Sequence, residues 1–241
     1  MYARSVAGRT LSFGVSGMLW RENLVMYDRE TDSWWAQATG RAIRGPLQGR
    51  TLQMVPSDMM TWKEWRTRHP DTLVLSKIES GRARGTSDVY TRYHRSGDLG
   101  VTGRTRLEGR GVGAKTRVLG FRFGGRAFAV ALGDLSAEPV FITSAPGEPF
   151  VIVATPDGTG ARAFRAGPHR FSVRTGSGPP ELVDEATGSE WTAFDGVATS
   201  GELATTRLEH MPATLAYWFA WQAFFPDTTL LTRDRTSSRR D

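Results

Sequence analysis

An internal match constrains this chain more than any other feature. Residues 28–75 lie on residues 184–231 at a constant offset of 156 without a gap, and sixteen of the 48 pairs are identical. The identities include Asp28 with Asp184, Thr31 with Thr187, Ser33 with Ser189, Trp35 with Trp191, Leu52 with Leu208 and Pro56 with Pro212. Further on, Trp62 and Trp65 fall on Trp218 and Trp221, and Pro70-Asp71-Thr72 falls on Pro226-Asp227-Thr228. Two tryptophan pairs at unchanged spacing are hard to obtain by chance, and a self-match of this length predicts two similar folding units. Upstream the match resumes after a two-residue shift, where Phe13 and Val15 fall on Phe171 and Val173, and Leu24-Val25 falls on Leu182-Val183.

Periodicity gives the content of each unit. In the first, residues 10–15 alternate apolar and polar, residues 24–27 form a short apolar run ending in a polar turn, and residues 33–38 resume in tryptophan-rich register, which predicts strand, turn and strand. Ser57 or Asp58 is the expected N-cap of a helix over 59–68, stopped by Pro70. The second unit carries extra strands in front of this shared core. Residues 117–123 and 126–132 flank Gly124-Gly125, a hairpin signal, and residues 140–143, 150–155 and 160–165 continue as strands. Its helix is expected over residues 215–225, beginning at Leu215 and ending at Phe225. It is apolar nearly all round where the first is amphipathic, so it should be buried between the units or against a protein partner or second copy.

The expected fold class is therefore mainly β (β-rich α+β): two tandem, pseudo-symmetric barrel-like or sandwich-like β modules, each with one Trp-bearing helix. The expected division is a first module over 1–78 lacking its N-terminal strands, a basic connector over 79–113, a second module over 114–232 and a frayed polar tail over 233–241.

Composition removes several kinds of chemistry. With no cysteine, thiolate nucleophiles, Cys-ligated zinc, iron–sulfur clusters and disulfides are all excluded. The four histidines, His69, His94, His169 and His210, have no partner at helical metal-ligand spacing, so neither a metal site nor a cofactor is expected. Net charge is +6, concentrated in residues 77–126, where twelve basic residues face four acidic ones. Arg82, Arg84, Arg92 and Arg95 in this segment are candidates for a polyanion such as phosphate or anionic lipid, although nucleic acid is not the expected partner. Tyr90, Tyr93 and His94 beside them are expected to pack back onto the modules. The longest uncharged stretch, residues 211–226, is too short to span a bilayer. No signal peptide is visible, which makes a cytoplasmic location the default and an extracytoplasmic one the expectation if the natural start lies upstream.

The chain resembles a bacterial and archaeal family of unknown function, number 3179. The stretches carrying the likeness are Phe13-Gly14-Val15-Ser16-Gly17, Leu24-Val25-Met26-Tyr27-Asp28-Arg29 with Thr31, Ser33, Trp34 and Gln37, Gly45-Pro46-Leu47, and Trp62, Trp65 and His69-Pro70-Asp71-Thr72. The second half agrees at Arg117-Val118-Leu119-Gly120 and over residues 218–228. The resemblance implies an architecture and no established activity. The family's Cys-Pro-x-Cys-like motif, which precedes the segment matching residues 6–13, has no counterpart here.

Candidate site residues come from what the two units share and where they differ. Asp28, Thr31 and Ser33 occupy a turn, where Asp and Thr usually bond to their own backbone. Asp28 with a hydroxyl could alternatively serve a hydrolase, which would require a deep pocket and a raised carboxyl pKa. Tyr27, Trp34, Gln37 and His69 belong to the first unit alone, the second having Glu190, Ala193 and Phe225 at the last three of these positions. With Ser16, Asp28, Ser33 and Trp35 they form the candidate set for a non-catalytic binding or structural module. Its expected ligand is small and polar or carbohydrate-like, held near Trp34, Trp35 and Gln37 in the cleft between modules, with a protein partner as the other option.

Overall fold

The computed structural model describes residues 1–74, 90–102, 112–145 and 147–233. The chain is mainly β, with largely antiparallel sheets, three short α-helices and one 3-10 turn (Leu132–Leu135) among the described residues. It opens with a small hairpin, β1 (Ser5–Val6) and β2 (Arg9–Thr10), and continues into a four-stranded meander of β3 (Phe13–Trp20), β4 (Asn23–Asp28), β5 (Trp34–Ala36) and β6 (Arg41–Arg44). Helix α1 (Trp62–Arg68) and the five-residue α2 (Thr91–Arg95) follow.

The remaining strands make three more sheets. The hairpin β7 (Arg117–Phe123) and β8 (Arg126–Ala131) turns through Gly124 and Gly125, both at positive φ, as the Gly-Gly signal requires. Next come β9 (Val140–Ala145), β10 (Glu148–Ala154) and β11 (Ala161–Arg165), and then a second meander of β12 (Phe171–Arg174), β13 (Glu181–Asp184), β14 (Glu190–Thr192) and β15 (Val197–Ala198). The chain closes with β16 (Glu209–His210), β17 (Ala213–Tyr217), helix α3 (Trp218–Gln222) and β18 (Thr229–Leu230). The sheet orders are β16-β11-β10-β9, β12-β13-β14-β15 and β17-β7-β8-β18.

Alternation along the strands stacks these sheets. Leu119, Phe121, Phe128 and Val130 of the β7–β8 hairpin meet Phe150 and Ile152 of β10 in one core. The intervening residues of β10, Val151 and Val153, face the other way and pack with Leu182 and Trp191 of the second meander. Because β10 is buried on both faces, it reads as a continuous apolar run rather than an alternating one. On the outer face of the hairpin, Val118 and Ala129 lie beneath Trp218 and Trp221 of α3. Each fully buried aromatic or aliphatic side chain of this stack contributes roughly 1.5–3 kcal/mol relative to exposure.

The first meander has its own smaller core of Leu11, Trp35, Ala42 and Leu52, with Tyr2, Phe13 and Met26 packed against it. Helix α1 is fastened across to the second half. The Thr61 amide and hydroxyl donate to Asp157 at 3.1 and 2.7 Å, in the turn between β10 and β11. Arg68 and Arg162 each lie 3.9 Å from the ring centroid of Phe194, and both pair with Asp195. A ring gripped by two guanidiniums, with a shared carboxylate to balance them, combines cation–π and ionic attraction.

Several expectations are corrected. Helix α1 starts at Trp62 rather than 59, and its N-cap is Thr61, which accepts from the Glu64 amide. Asp58 is instead engaged by Arg162, which donates to both carboxylate oxygens at 2.6 and 2.7 Å. The helix expected over 215–225 splits in two: Leu215 and its neighbours pair as β17 with β7, and only Trp218–Gln222 is α-helical. Edge pairing with β7 satisfies backbone groups that a helix would satisfy internally, so tertiary context overrides the apolar run. Trp218, Phe219 and Trp221 are buried within the chain itself.

The upstream two-residue shift also moves. Met26 pairs with Trp35 as Leu182 pairs with Trp191, while Phe13 pairs with Asp28 as Phe171 pairs with Asp184. Met26-Tyr27, rather than Leu24-Val25, therefore occupies the positions of Leu182-Val183. The two-residue difference falls between the paired segments of each hairpin, where β3 carries a register shift between Val15 and Leu19.

Candidate functional site

The turn after β4 is built from side-chain bonds. Asp28 is fully buried and accepts from the Thr31 amide at 2.6 Å, the Thr31 hydroxyl at 2.8 Å and the Trp35 indole N–H at 2.8 Å. Thr31 Oγ1 and Ser33 Oγ share a bond at 2.7 Å, and Ser33 Oγ accepts the Leu47 amide. Burial pushes the Asp28 pKa up, but the bonds from Trp35, Thr31 and the Ser33 amide outweigh it and hold the carboxyl below its ordinary value. The raised pKa required of a catalytic acid at Asp28 is not found. This carboxylate is ionised, saturated with donors and closed to solvent.

The turn after β13 is laid out in the same way. Asp184 accepts from the Thr187 amide and hydroxyl, both at 2.9 Å, Thr187 bonds Ser189, and Ser189 Oγ accepts the Leu203 amide at 3.1 Å. One bond differs. The Trp191 indole N–H is buried without a partner, and Asp184 Oδ2 is met by His169 Nδ1 at 3.2 Å.

The other candidates disperse. Ser16 donates to the Val25 carbonyl at 2.5 Å and accepts the Met18 amide, holding the irregular part of β3. Tyr27 lies over Gly14 with the Arg29 guanidinium 5.5 Å from its ring, and Trp34 is covered by Arg44 at 5.1 Å. His69 caps the C-terminus of α1 and packs against Trp65 at 4.2 Å. Trp35 sits in the core. Among the basic candidates, Arg92 and Arg95 are exposed on α2, while Arg82 and Arg84 lie outside the described residues. Of the connector aromatics, Tyr93 and His94 pack onto Tyr217, with His94 Nδ1 2.7 Å from its hydroxyl, whereas Tyr90 is 63% exposed.

Gln37 has a different setting. It lines a cleft of about 300 Å³ between the first meander and the β17–α3 end of the second half. The walls are largely apolar, with Tyr2, Met54, Leu119, Leu215, Trp221 and Phe225 among them. Asn23, Gln37, Ser57, Asp58 and Thr214 supply the polar lining. Asp58 is neutralised by Arg162, and burial, partly offset by Arg122, pushes the Tyr2 phenol up to about 12, so the phenol stays neutral. Tyr2, Asp58 and the β17 residues escaped sequence reasoning because the cleft arises from segments far apart in the chain. The one available signal was that Gln37 faces Ala193 across the internal match.

Two Asp-Thr-Ser turns locked by their own hydrogen bonds, a stack of largely antiparallel sheets and a mostly apolar cleft define a mainly β protein. The chain belongs to the family described as "Protein of unknown function (DUF3179)", whose model matches residues 1–228. No curated protein and no solved structure matches it.

Proposed function

We propose that this protein is a non-catalytic binding module whose ligand is a small molecule with an apolar body and an uncharged polar end, held in the cleft lined by Gln37. The observation carrying this reading is the chemistry of that lining: apolar and aromatic walls, a neutral phenol, two carboxamides, and a carboxylate already neutralised by arginine. Pockets of this size and composition recognise ligands by burying apolar surface and orienting them through a few polar groups. A carbohydrate stacked on Trp34 or Trp35 has less support, because Arg44 covers the first ring and the second is in the core. A hydrolase using Asp28 has less support still, given its saturated and ionised carboxylate.

We further infer that the scaffold is a duplication of one unit, with the cleft at the junction of the two copies. Supporting this are the matching Asp-Thr-Ser bond sets and the bridges Arg41 to Thr51 and Val197 to Arg207, all 156 residues apart. The cleft is also lined by both Met59 and its counterpart Leu215.

The test is a thermal-shift and fluorescence screen with Nile red as the probe, competed by small neutral amides and alcohols. Binding to the native state raises the melting temperature, by an amount equivalent to about 2.7 kcal/mol at a hundredfold excess over Kd. Saturable binding lost in Gln37→Ala and in the cleft-filling Ala220→Phe supports the reading. Binding indifferent to both substitutions refutes it.

A further inference from the structure

A second cavity of about 240 Å³ adjoins the Gln37 cleft. Tyr2, Ala38, Met54, Thr214, Trp221 and Phe225 line both, so the two cavities share one groove. Its direction follows β7. Leu119 lines the first cavity, and Gly120, Phe121 and Arg122 line the second, which carries the groove about 10 Å along the strand. On the facing wall Asn23 and Gln37 border the first cavity alone, and Thr39 and Thr51 the second alone. The carboxamides and Arg122 therefore stand at opposite ends of the groove.

Charge distinguishes the two ends. In the first cavity Asp58 is balanced by Arg162. The second is lined by one charged side chain, Arg122, and by no carboxylate. The Arg122 guanidinium lies 5.5 Å from the ring of Phe225, a wall common to both cavities, and its field reaches the Tyr2 phenol. Among the described residues no carboxylate pairs with it. A guanidinium resting on an aromatic face keeps its N–H edge available to an oxyanion.

The internal match shows what the same place holds in the other half. At the positions of Thr39, Thr51 and Met54 the second half has Asp195, Arg207 and His210, which line a cavity together with Arg162. There guanidinium and carboxylate occur together, and Arg162 pairs with Asp195 at 3.2 Å. In the first half the same positions are uncharged, and Arg122 is left without an opposite charge.

We propose that the ligand of the Gln37 cleft is a chain acid. Its linear apolar body lies along the groove, its carboxylate meets Arg122, and a hydroxyl or amide occupies the Gln37 end. The inference rests on the reading of the cleft as a binding site and adds the class of ligand. A carboxylate matches the guanidinium fork with two parallel charge-assisted bonds. The methylenes gain from burial against Met54, Trp221 and Phe225. Because Arg122 is exposed, the head group stays hydrated on its outer side, and its charge is recognised without being buried.

The probes are ω-hydroxydodecanoate and its methyl ester, which keeps the chain and removes the charge, titrated calorimetrically into the parent, Arg122→Gln and Arg126→Gln proteins. Arg126 belongs to the same hairpin but lines neither cavity. The parent and Arg126→Gln should bind the acid about tenfold more tightly than the ester, and Arg122→Gln should bind the two alike. The ester should bind Arg122→Gln as it binds the parent, which shows the groove intact. Equal affinities of acid and ester in the parent overturn the proposal. So does a preference that survives Arg122→Gln, or one that falls as far in Arg126→Gln, since net charge would then be its source. Failure of both probes where Nile red binds overturns the chain acid and leaves the cleft a binding site, whereas failure of all three overturns the cleft itself.

Discussion

The indole N–H of Trp35 donates to Oδ2 of Asp28 at 2.8 Å, in a site from which solvent is excluded. Its counterpart Trp191 has no such bond, because His169 occupies the side of Asp184 that an indole would otherwise reach. The same turn is thus held by two different third partners, which makes the contribution of each measurable.

Asp28→Asn should destabilise the protein by about 2–4 kcal/mol in urea unfolding, since charge-assisted bonds in a buried site are weakened together. The folded-state pKa of Asp28 is depressed, so its stabilisation is present above the ordinary carboxylate pKa and disappears as pH falls through the folded value. The parent should therefore lose stability on acidification below about pH 4. Asp28→Asn should flatten that part of the profile.

His169→Leu frees Asp184 Oδ2 for the Trp191 indole, exchanging one bond for another. Stability should change by less than about 1 kcal/mol. The Trp191 indole proton should shift downfield in the nitrogen–proton correlation spectrum, and an unmoved resonance would show that the two partners do not compete.

Arg162→Met removes the partner of a half-buried carboxylate and one of the two cations on Phe194, at side-chain exposures of 14% and 17% for the Arg162–Asp58 pair. A loss of about 2–4 kcal/mol is expected. Arg174→Met breaks a pair with side-chain exposures of 50% and 47%, and should cost less than about 1 kcal/mol. Chemical denaturation of the two variants side by side checks the contrast.

Tyr2 should ionise near pH 12 in the folded protein, visible as a late component of the phenolate absorbance titration. Because its folded pKa is raised above the ordinary phenol value of 10.0, its contribution to stability is complete below pH 10 and is lost between there and about 12. Tyr2→Phe should remove that alkaline loss.

Trp218→Ala should cost about 3–5 kcal/mol, as expected for a large aromatic removed from a core. Trp62→Ala, at the matching position on an exposed face, should cost under about 1 kcal/mol. Comparable losses at the two positions would show that Trp62 is covered in solution.

The elements legible in the sequence were those with a strong local signal. The hairpin turning on Gly124-Gly125, the Asp-Thr-Ser turns and the tryptophan positions of both helices could be read because period, turn chemistry and self-match agree there. The lost detail was non-local. Residues 215–217 are an apolar run compatible with helix, and only pairing with β7 makes them a strand. Ser57 and Asp58 are good capping residues by type, yet a salt bridge to Arg162 claims Asp58, and Thr61 caps the helix instead. Among the candidate site residues, Asp28, Ser33 and Trp35 are joined through Thr31 and the indole bond and serve one another. Gln37 alone reaches the cleft, whose other walls come from Tyr2 and from strands far along the chain.

The pairing of β17 and β18 with the two edges of the β7–β8 hairpin has a consequence for synthesis. The hairpin leaves the ribosome about ninety residues before the strands that flank it, since Gly120 pairs with Thr214 and Phe128 with Thr229. Contacts of such long sequence separation are slow to form, and exposed strand edges invite pairing with the wrong chain in the interval. The nascent protein must carry two bare edges and an uncovered apolar face until residues 213–230 are released, so its yield should depend more on chaperones and translation rate than its finished stability suggests.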